Sequence, residues 1–451
     1  MISISIIFST IAAVGVPVGV SRFLAKSLHE KKTEETKTLV MNSLILISIG
    51  IISSSTALFI INEWIYVAFD QTLIIFAMLI IGSHTVSNLL NSIVIASLQT
   101  KVIPKIMAVV SLVKITLVVI LVLLHYGSIG VLLGYASFEI LSSILLGIAV
   151  IRMLRHKDSS GTRIEDSPSI KTILNASAPS WIPKLINALS GASLGTIVVF
   201  GSSGSAEAAS YFLSYTVSVA VFSIVLPLFT IAYPALAAMT DARKRLTWRI
   251  IKTSMIVSIP LSASIFFYSD EVIGLLGHHY ADASLLLKLF LLAIFPNSIS
   301  IMIGQLVYAY GNYRHVLYIG IASSIPTTIL YLLLVPILGS TGAAISYLVG
   351  SIGGFVMSTI ISKKIGMRIH WNVLSYISII SIVAAFIYSY IHLNFVLGII
   401  LTLVTAFVVF LKFRILSRSE IDGTLDVLPI EIASPIASFV HKVGKMLNRD
   451  H

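Results

Sequence analysis

The chain has 451 residues, of which 57% are hydrophobic and 11% charged, with a formal net charge of +11 and a mean hydropathy of +1.00. Soluble globular domains carry roughly 25% charged residues, so a water-soluble enzyme or binding module is excluded. The lack of cysteine removes disulfides, thiolate catalysis and cysteine-based zinc sites.

Runs of about 20 apolar residues match a hydrocarbon layer roughly 30 Å thick, at ~1.5 Å per helical residue. Thirteen are expected, at 2–20, 38–61, 72–98, 106–125, 129–151, 172–200, 206–238, 247–269, 281–310, 316–337, 341–362, 373–391 and 395–413. None shows the alternation of a membrane β-barrel strand, and backbone groups in lipid must be bonded internally, so the fold class is an all-α polytopic membrane protein. The first run lacks a basic n-region and a small-residue cleavage site, so it reads as a span and not as a signal peptide.

With Met1 outside, the inner loops hold every basic residue except Lys114, Lys184 and Lys288. The outer loops hold only acids: Glu63, Asp70, Glu207, Asp270, Glu271 and Asp282. Lys and Arg bias loops to the cytoplasm, so charge and span number support each other and put the C-terminus inside. Anionic lipid beside this basic face accounts for the net charge, and no nucleic acid is required.

The stretch Tyr126-Gly127-Ser128-Ile129-Gly130, followed by Tyr135, recurs 212 residues later as Leu338-Gly339-Ser340-Thr341-Gly342, followed by Tyr347. The same offset lays Val20-Ser21-Arg22-Phe23-Leu24-Ala25 on Ala232-Tyr233-Pro234-Ala235-Leu236-Ala237, and Gln99-Thr100 on Gly311-Asn312. Three matches at one offset indicate an internal repeat of parallel orientation. Shifted back by 212, the run at 172–200 falls before Met1, so the sequence reads as lacking the first helix of its first half, the alternative being that thirteen spans suffice. The expected division is an N-terminal bundle at 1–151, a cytoplasmic linker at 152–171, a C-terminal bundle at 172–368, two extra helices at 369–415 and an amphipathic tail at 416–451. In the tail, Ile436, Val440, Val443 and Leu447 recur at helical spacing with Lys442, Lys445 and Arg449 on other faces, which reads as a helix lying on the inner leaflet.

Several segments carry a family resemblance. Gly15-Val16-Pro17-Val18-Gly19-Val20-Ser21-Arg22-Phe23-Leu24-Ala25, Ala178-Pro179-Ser180, Ala208-Ala209-Ser210-Tyr211, Phe229-Thr230-Ile231-Ala232-Tyr233-Pro234-Ala235-Leu236 and Leu416-Ser417-Arg418-Ser419-Glu420-Ile421-Asp422 resemble the polysaccharide and oligosaccharide-lipid flippases of the multidrug/oligosaccharidyl-lipid/polysaccharide (MOP, MATE-like) exporter superfamily. The resemblance implies two six-helix bundles around a central cavity plus two C-terminal helices. It implies alternating-access transfer of a lipid-linked oligosaccharide or polysaccharide precursor to the outer leaflet of a prokaryotic cell membrane. A monomer is expected, with membrane lipids as partners and no cofactor beyond a coupling H+ or Na+. Ser193, Gly195 and Thr196 stand where many relatives carry an acid, which leaves the coupling open.

Within the spans, Lys114, Lys184, Lys288 and Glu139 each cost about 2.5–3.5 kcal/mol or more at mid-membrane, so each requires a partner, a wet cavity or a route to the interface. Lys114, Lys184 and the inner-end Arg22 are read as facing the cavity and binding a lipid pyrophosphate. The competing reading makes Lys114 and Glu139, on consecutive helices, a structural ion pair. Lys288, near the outer end, reads as snorkelling. His84, Asn88 and Asn91 fall on one helical stripe suited either to sugar hydroxyls or to inter-helix bonding, with Gln305 and Asn297 as further candidates. His278 and His279 have no third ligand and read as a solvated loop, not a metal site. The runner-up function is a cation-coupled multidrug exporter, whose cavity should favour acids. Three lysines against one glutamate favour an anionic cargo. No phosphate-binding loop and no carboxylate-bearing catalytic loop supports ATP hydrolysis or glycosyl transfer, so no enzymatic activity is expected.

Overall fold

The computed structural model describes residues 1–29, 33–65, 70–97, 102–155, 170–239, 241–277, 280, 283–413 and 415. Most of the 152–171 linker, His278, His279 and the 416–451 tail therefore lie outside the described residues. The helices are α1 (Ile2–Ala12), α2 (Val16–His29), α3 (Thr33–Ile60), α4 (Gln71–Ala96), α5 (Val102–Leu123), α6 (Gly127–Arg155), α7 (Ile170–Ser190), α8 (Ala192–Ser203), α9 (Ser205–Ser223), α10 (Leu226–Ala238), α11 (Arg243–Phe267), α12 (Ser269–Gly274), α13 (Ala283–Leu292), α14 (Ile294–Ala309), α15 (Tyr313–Lys364), α16 (Trp371–Tyr390) and α17 (Phe395–Lys412). No strand occurs among the described residues.

Ten of the described helices are long and apolar enough to cross a bilayer, or eleven with the bent pair α9 and α10. The thirteen expected runs reconcile with this number through chain breaks. The 52 residues of α15 are two helical runs meeting at Gly339 (φ +56, ψ −136), as 316–337 and 341–362 require. The run 2–20 is interrupted between α1 and α2, where Val14 (φ +46) and Gly15 (φ +69) turn the chain. The run 206–238 bends by 66° between α9 and α10. The run 172–200 breaks at Gly191, and 281–310 at Ala293.

The chain divides into two compact units, Met1–Ile197 and Val198–His451, with the division inside α8. The sequence repeat puts the start of the second half at 172, whereas α7 packs against α1, α2 and α3 of the first unit. In that unit, Val16, Val20 and Leu24 of α2 meet Leu39 and Ile47 of α3, Leu89 and Ile93 of α4 and Leu146 of α6 in one buried cluster. Small residues allow the close approaches. A Cβ on Gly15 would lie 2.6 Å from the Ser177 carbonyl oxygen and 2.7 Å from Trp181 Cβ, and one on Gly19 would overlap the Ser177 side chain. The Trp181 indole N–H donates to the Thr10 carbonyl at 3.1 Å, fixing α7 to α1. Lipid tails are as apolar as leucine, so such van der Waals fit, and not water exclusion, holds these helices together.

In the second unit, α16 and α17 pack on α11, and Phe229, Leu236, Ile251, Met255, Met302, Leu306 and Phe410 share a buried core. The many serines inside these spans are compatible with lipid because their hydroxyls bond back to carbonyls one turn earlier, as do Ser264 to Pro260, Ser298 to Ile294 and Thr402 to Gly398.

The 212-residue repeat is expressed in the backbone. Gly127 and Gly339 both adopt positive φ, +52 and +56, at the turns opening equivalent helices. The breaks between α1 and α2 and between α9 and α10 correspond, and so do the packing of α1 and α2 on α4 and that of α9 and α10 on α13 and α14. The Gln99-Thr100 turn lies outside the described residues.

Candidate functional site

A polar cluster occupies the first unit where α4, α5 and α6 meet. On α5 the lipid-like face is exposed, with Leu112 at 66% and Ile115 at 57% exposure, while Lys114 lies on the half-buried face carrying Val110 and Leu121 that packs on α6. Gly130 and Gly134 of α6 permit this packing, since a Cβ on Gly130 would lie 2.9 Å from Leu121 Cβ and one on Gly134 would overlap Val118.

The Lys114 ammonium stands over the Tyr135 ring at 4.2 Å and the Phe138 ring at 5.0 Å from their centroids. Aromatic faces attract cations, by about 0.5–2 kcal/mol per favourable contact. Glu139, one residue on, adds a Coulombic attraction for Lys114. Its own contact is elsewhere: Glu139 Oε1 and His84 Nδ1 of α4 are 2.9 Å apart, with the side chains 13% and 30% exposed. The direct Lys114–Glu139 ion pair of the competing reading is therefore absent among the described residues. Ser143, one turn beyond Glu139, donates to the Ser83 carbonyl at 2.8 Å and stitches α4 to α6 beside the histidine.

The other expected residues separate. Asn88 is exposed, whereas Asn91 is half-buried with its Oδ1 enclosed and unbonded among the described residues, so exposure varies along the His84–Asn88–Asn91 stripe. Lys184, inside α7, is exposed and makes no hydrogen bond or ion pair among the described residues. Arg22 lies within α2, but its side chain is outside the described residues, as are those of Pro179 and Pro183. Gln305 is half-buried on α14 of the second unit, and Asn297 of the same helix donates to the Tyr347 hydroxyl at 3.3 Å. Lys288 lies 3.6 Å from Asp270, so its reach toward the outer end finishes on a carboxylate.

The sequence reading missed two aromatic features. One is the Tyr135–Phe138 face under Lys114, whose signal was the i, i+3, i+4 spacing of Tyr135, Phe138 and Glu139. The other is an aromatic cluster in the second unit: Tyr211 and Phe290 lie 5.1 Å apart, Tyr215 and Tyr347 6.0 Å, and Phe290 and Tyr347 5.3 Å. The buried Tyr211 and Tyr331 hydroxyls share a 3.1 Å hydrogen bond there.

The repeat supplies an internal control on the charged cluster. At the 212-residue offset, His84, Lys114 and Glu139 fall on Pro296, Pro326 and Ser351, while Tyr135 falls on Tyr347. The helical plan thus forms in the second unit without these charges, so they are not a requirement of the fold.

Two repeated bundles of broken apolar helices, with a charged cluster inside the first, define a polytopic helical membrane protein with a parallel internal repeat. The family model of the polysaccharide biosynthesis proteins matches residues 1–285, and the chain belongs to that family. Among solved structures, a lipid II flippase MurJ in an inward closed conformation is 14% identical with a TM-score of 0.61, covering 90% of this chain and 95% of that one. An inward-facing multidrug resistance MATE family transporter of the MOP superfamily is 16% identical with a TM-score of 0.61, covering 79% and 87%. The Vibrio cholerae MATE transporter VcmN in its bent form is 16% identical with a TM-score of 0.56, covering 80% and 86%. At these identities the likeness is one of fold. No curated protein matches the chain.

Proposed function

We propose that the protein is a flippase that moves a lipid-linked oligosaccharide or polysaccharide precursor from the cytoplasmic to the outer leaflet of a prokaryotic cell membrane by alternating access. The carrying observation is Lys114: a cation inside a span, held by two rings rather than neutralised by a bonded carboxylate, at a place where the repeat has Pro326. A lysine ammonium so placed can form a charge-assisted hydrogen bond with a phosphorylated headgroup. Membership of the polysaccharide biosynthesis family supports a glycan cargo.

In this reading Lys114, Lys184 and Arg22 bind the pyrophosphate, and Glu139 with His84 orients the charge of the cluster. Asn88, Asn91 and Gln305 meet sugar hydroxyls. The matched breaks after α1 and α9 serve as hinges. The coupling ion is H+ or Na+, the C-terminus is cytoplasmic and the working unit is a monomer.

The test is a liposome flipping assay with a polyprenyl-diphosphate saccharide beside a cationic dye. Transfer of the saccharide, lost in Lys184→Ala at normal protein level, is expected. Transfer of dye alone would instead identify a multidrug exporter, and an unimpaired Lys184→Ala would remove Lys184 from the site.

A further inference from the structure

The second unit carries a basic cluster that the proposed cargo site does not include. Lys244 and Arg245 open α11, Lys363 and Lys364 close α15, and Arg368 follows in the next turn. These two chain ends adjoin. A Cβ on Gly366 (φ +70) would lie 3.3 Å from the Lys244 ammonium, and the Trp248 and His370 rings are 4.6 Å apart. Beneath them Leu246, Trp248, Ile365, Met367 and Ile369 join one hydrophobic cluster, so the juxtaposition is packed and not incidental.

The neighbouring Arg243 has a structural task. It donates from Nε to the Met239 carbonyl at 2.6 Å and from Nη1 to the Ala309 carbonyl at 3.1 Å, and its guanidinium faces the Tyr310 ring. The five cations beside it have none: each is exposed and, among the described residues, forms no hydrogen bond or ion pair. Asp241, the nearest carboxylate in sequence, is exposed and pairs with none of them. Trp248 near the start of α11 and Trp371 at the start of α16, the latter packed edge-on against Phe355 at 5.8 Å, stand beside these cations, an arrangement that fits a membrane interface, where aromatic side chains concentrate.

We infer that this end of the second unit is a binding site for the phosphate headgroup of an anionic phospholipid, held between Lys244 and Arg245 on one side and Lys363 and Lys364 on the other, with the acyl chains alongside α11 and α15. Basic recesses between spanning helices at the interface bind such headgroups, and each added cation strengthens the attraction. Two elements converge here without a counter-ion among the described residues, and this separates a site from a solvated charge run.

The experiment is native mass spectrometry of the full chain in detergent, titrated with phosphatidylglycerol or phosphatidylcholine. Wild type should retain phosphatidylglycerol at least about ten-fold more tightly, and a variant with Lys244, Arg245, Lys363 and Lys364 all changed to Gln should lose that preference. Neutralising Lys105 and Arg152 of the first unit should leave it in place. If the quadruple variant does not fold, Lys244→Gln/Lys364→Gln and salt titration of the wild type replace it, with the preference falling in both. Equal retention of the two lipids, a preference that survives neutralisation, or displacement by inorganic phosphate at matching concentration would each overturn the site.

Discussion

Replacing Lys114 by Met separates structural from functional roles of this lysine, because the two roles predict opposite changes in stability. A lysine at mid-membrane costs about 2.5–3.5 kcal/mol. Its two ring contacts, at 4.2 and 5.0 Å, offset about 2 kcal/mol together, since the second ring is the more distant. Glu139 is already bonded to His84 and offsets about 1 kcal/mol more through the field it exerts on the ammonium. The balance lies within about 0.5 kcal/mol of zero. Methionine has similar length and keeps contact with both rings through sulfur. Lys114→Met is therefore expected to melt at the wild-type temperature or slightly above, while saccharide transfer in liposomes falls at least about ten-fold, the loss of one charge-assisted contact. A melting temperature lowered by several degrees, with transfer per folded molecule unchanged, would show the lysine to be structural and refute the reasoning.

Other substitutions probe the architecture. Gly339→Ala should destabilise by about 1–3 kcal/mol, because its φ and ψ suit glycine alone and a Cβ would strike the Glu207 carboxylate that accepts the Ser340 N–H at 2.7 Å. Gly127→Ala, with open space at the same φ, should cost only about 1 kcal/mol in the same melting assay. Tyr211→Phe should cost about 1 kcal/mol by removing the hydrogen bond it shares with the buried Tyr331 hydroxyl, and the double change with Tyr331→Phe should be less than additive. Trp181→Phe removes the bond to Thr10 and should lower stability by about 1 kcal/mol without changing lipid preference.

Much of the fold was legible because the membrane reduces the problem to length, apolarity and loop charge. Gly127 and Gly339 announced the repeat, since positive φ at a turn leaves few alternatives to glycine. The break at Ile224 and Val225 is signalled by Pro227 at the start of α10, although hydropathy is blind to a bend made of apolar residues. The placement of α7 with α1 and α2 was hidden because both sides of that contact are small residues, Gly15, Gly19 and Ser177, whose meaning is distance and not polarity. The site was half legible. Chain proximity joined Lys114 to Glu139, whereas the rotation of α6 turns Tyr135 and Phe138 toward the lysine and Glu139 toward α4.

The repeat gives the residues of this site a weight that a single bundle would not. Two copies of one helical plan share the turn glycines, the break after their first helix and the tyrosine at 135 and 347, so those features serve the fold. What differs at equivalent positions is free of that duty. The first copy has His84, Lys114 and Glu139, and the second has Pro296, Pro326 and Ser351 with a tyrosine-rich cluster near Tyr347. Charges kept in lipid at a cost near the strength of their contacts have no stabilising purpose. Under the proposed function a negatively charged cargo would give them one, and a change of charge in the first unit should then alter cargo before it alters folding.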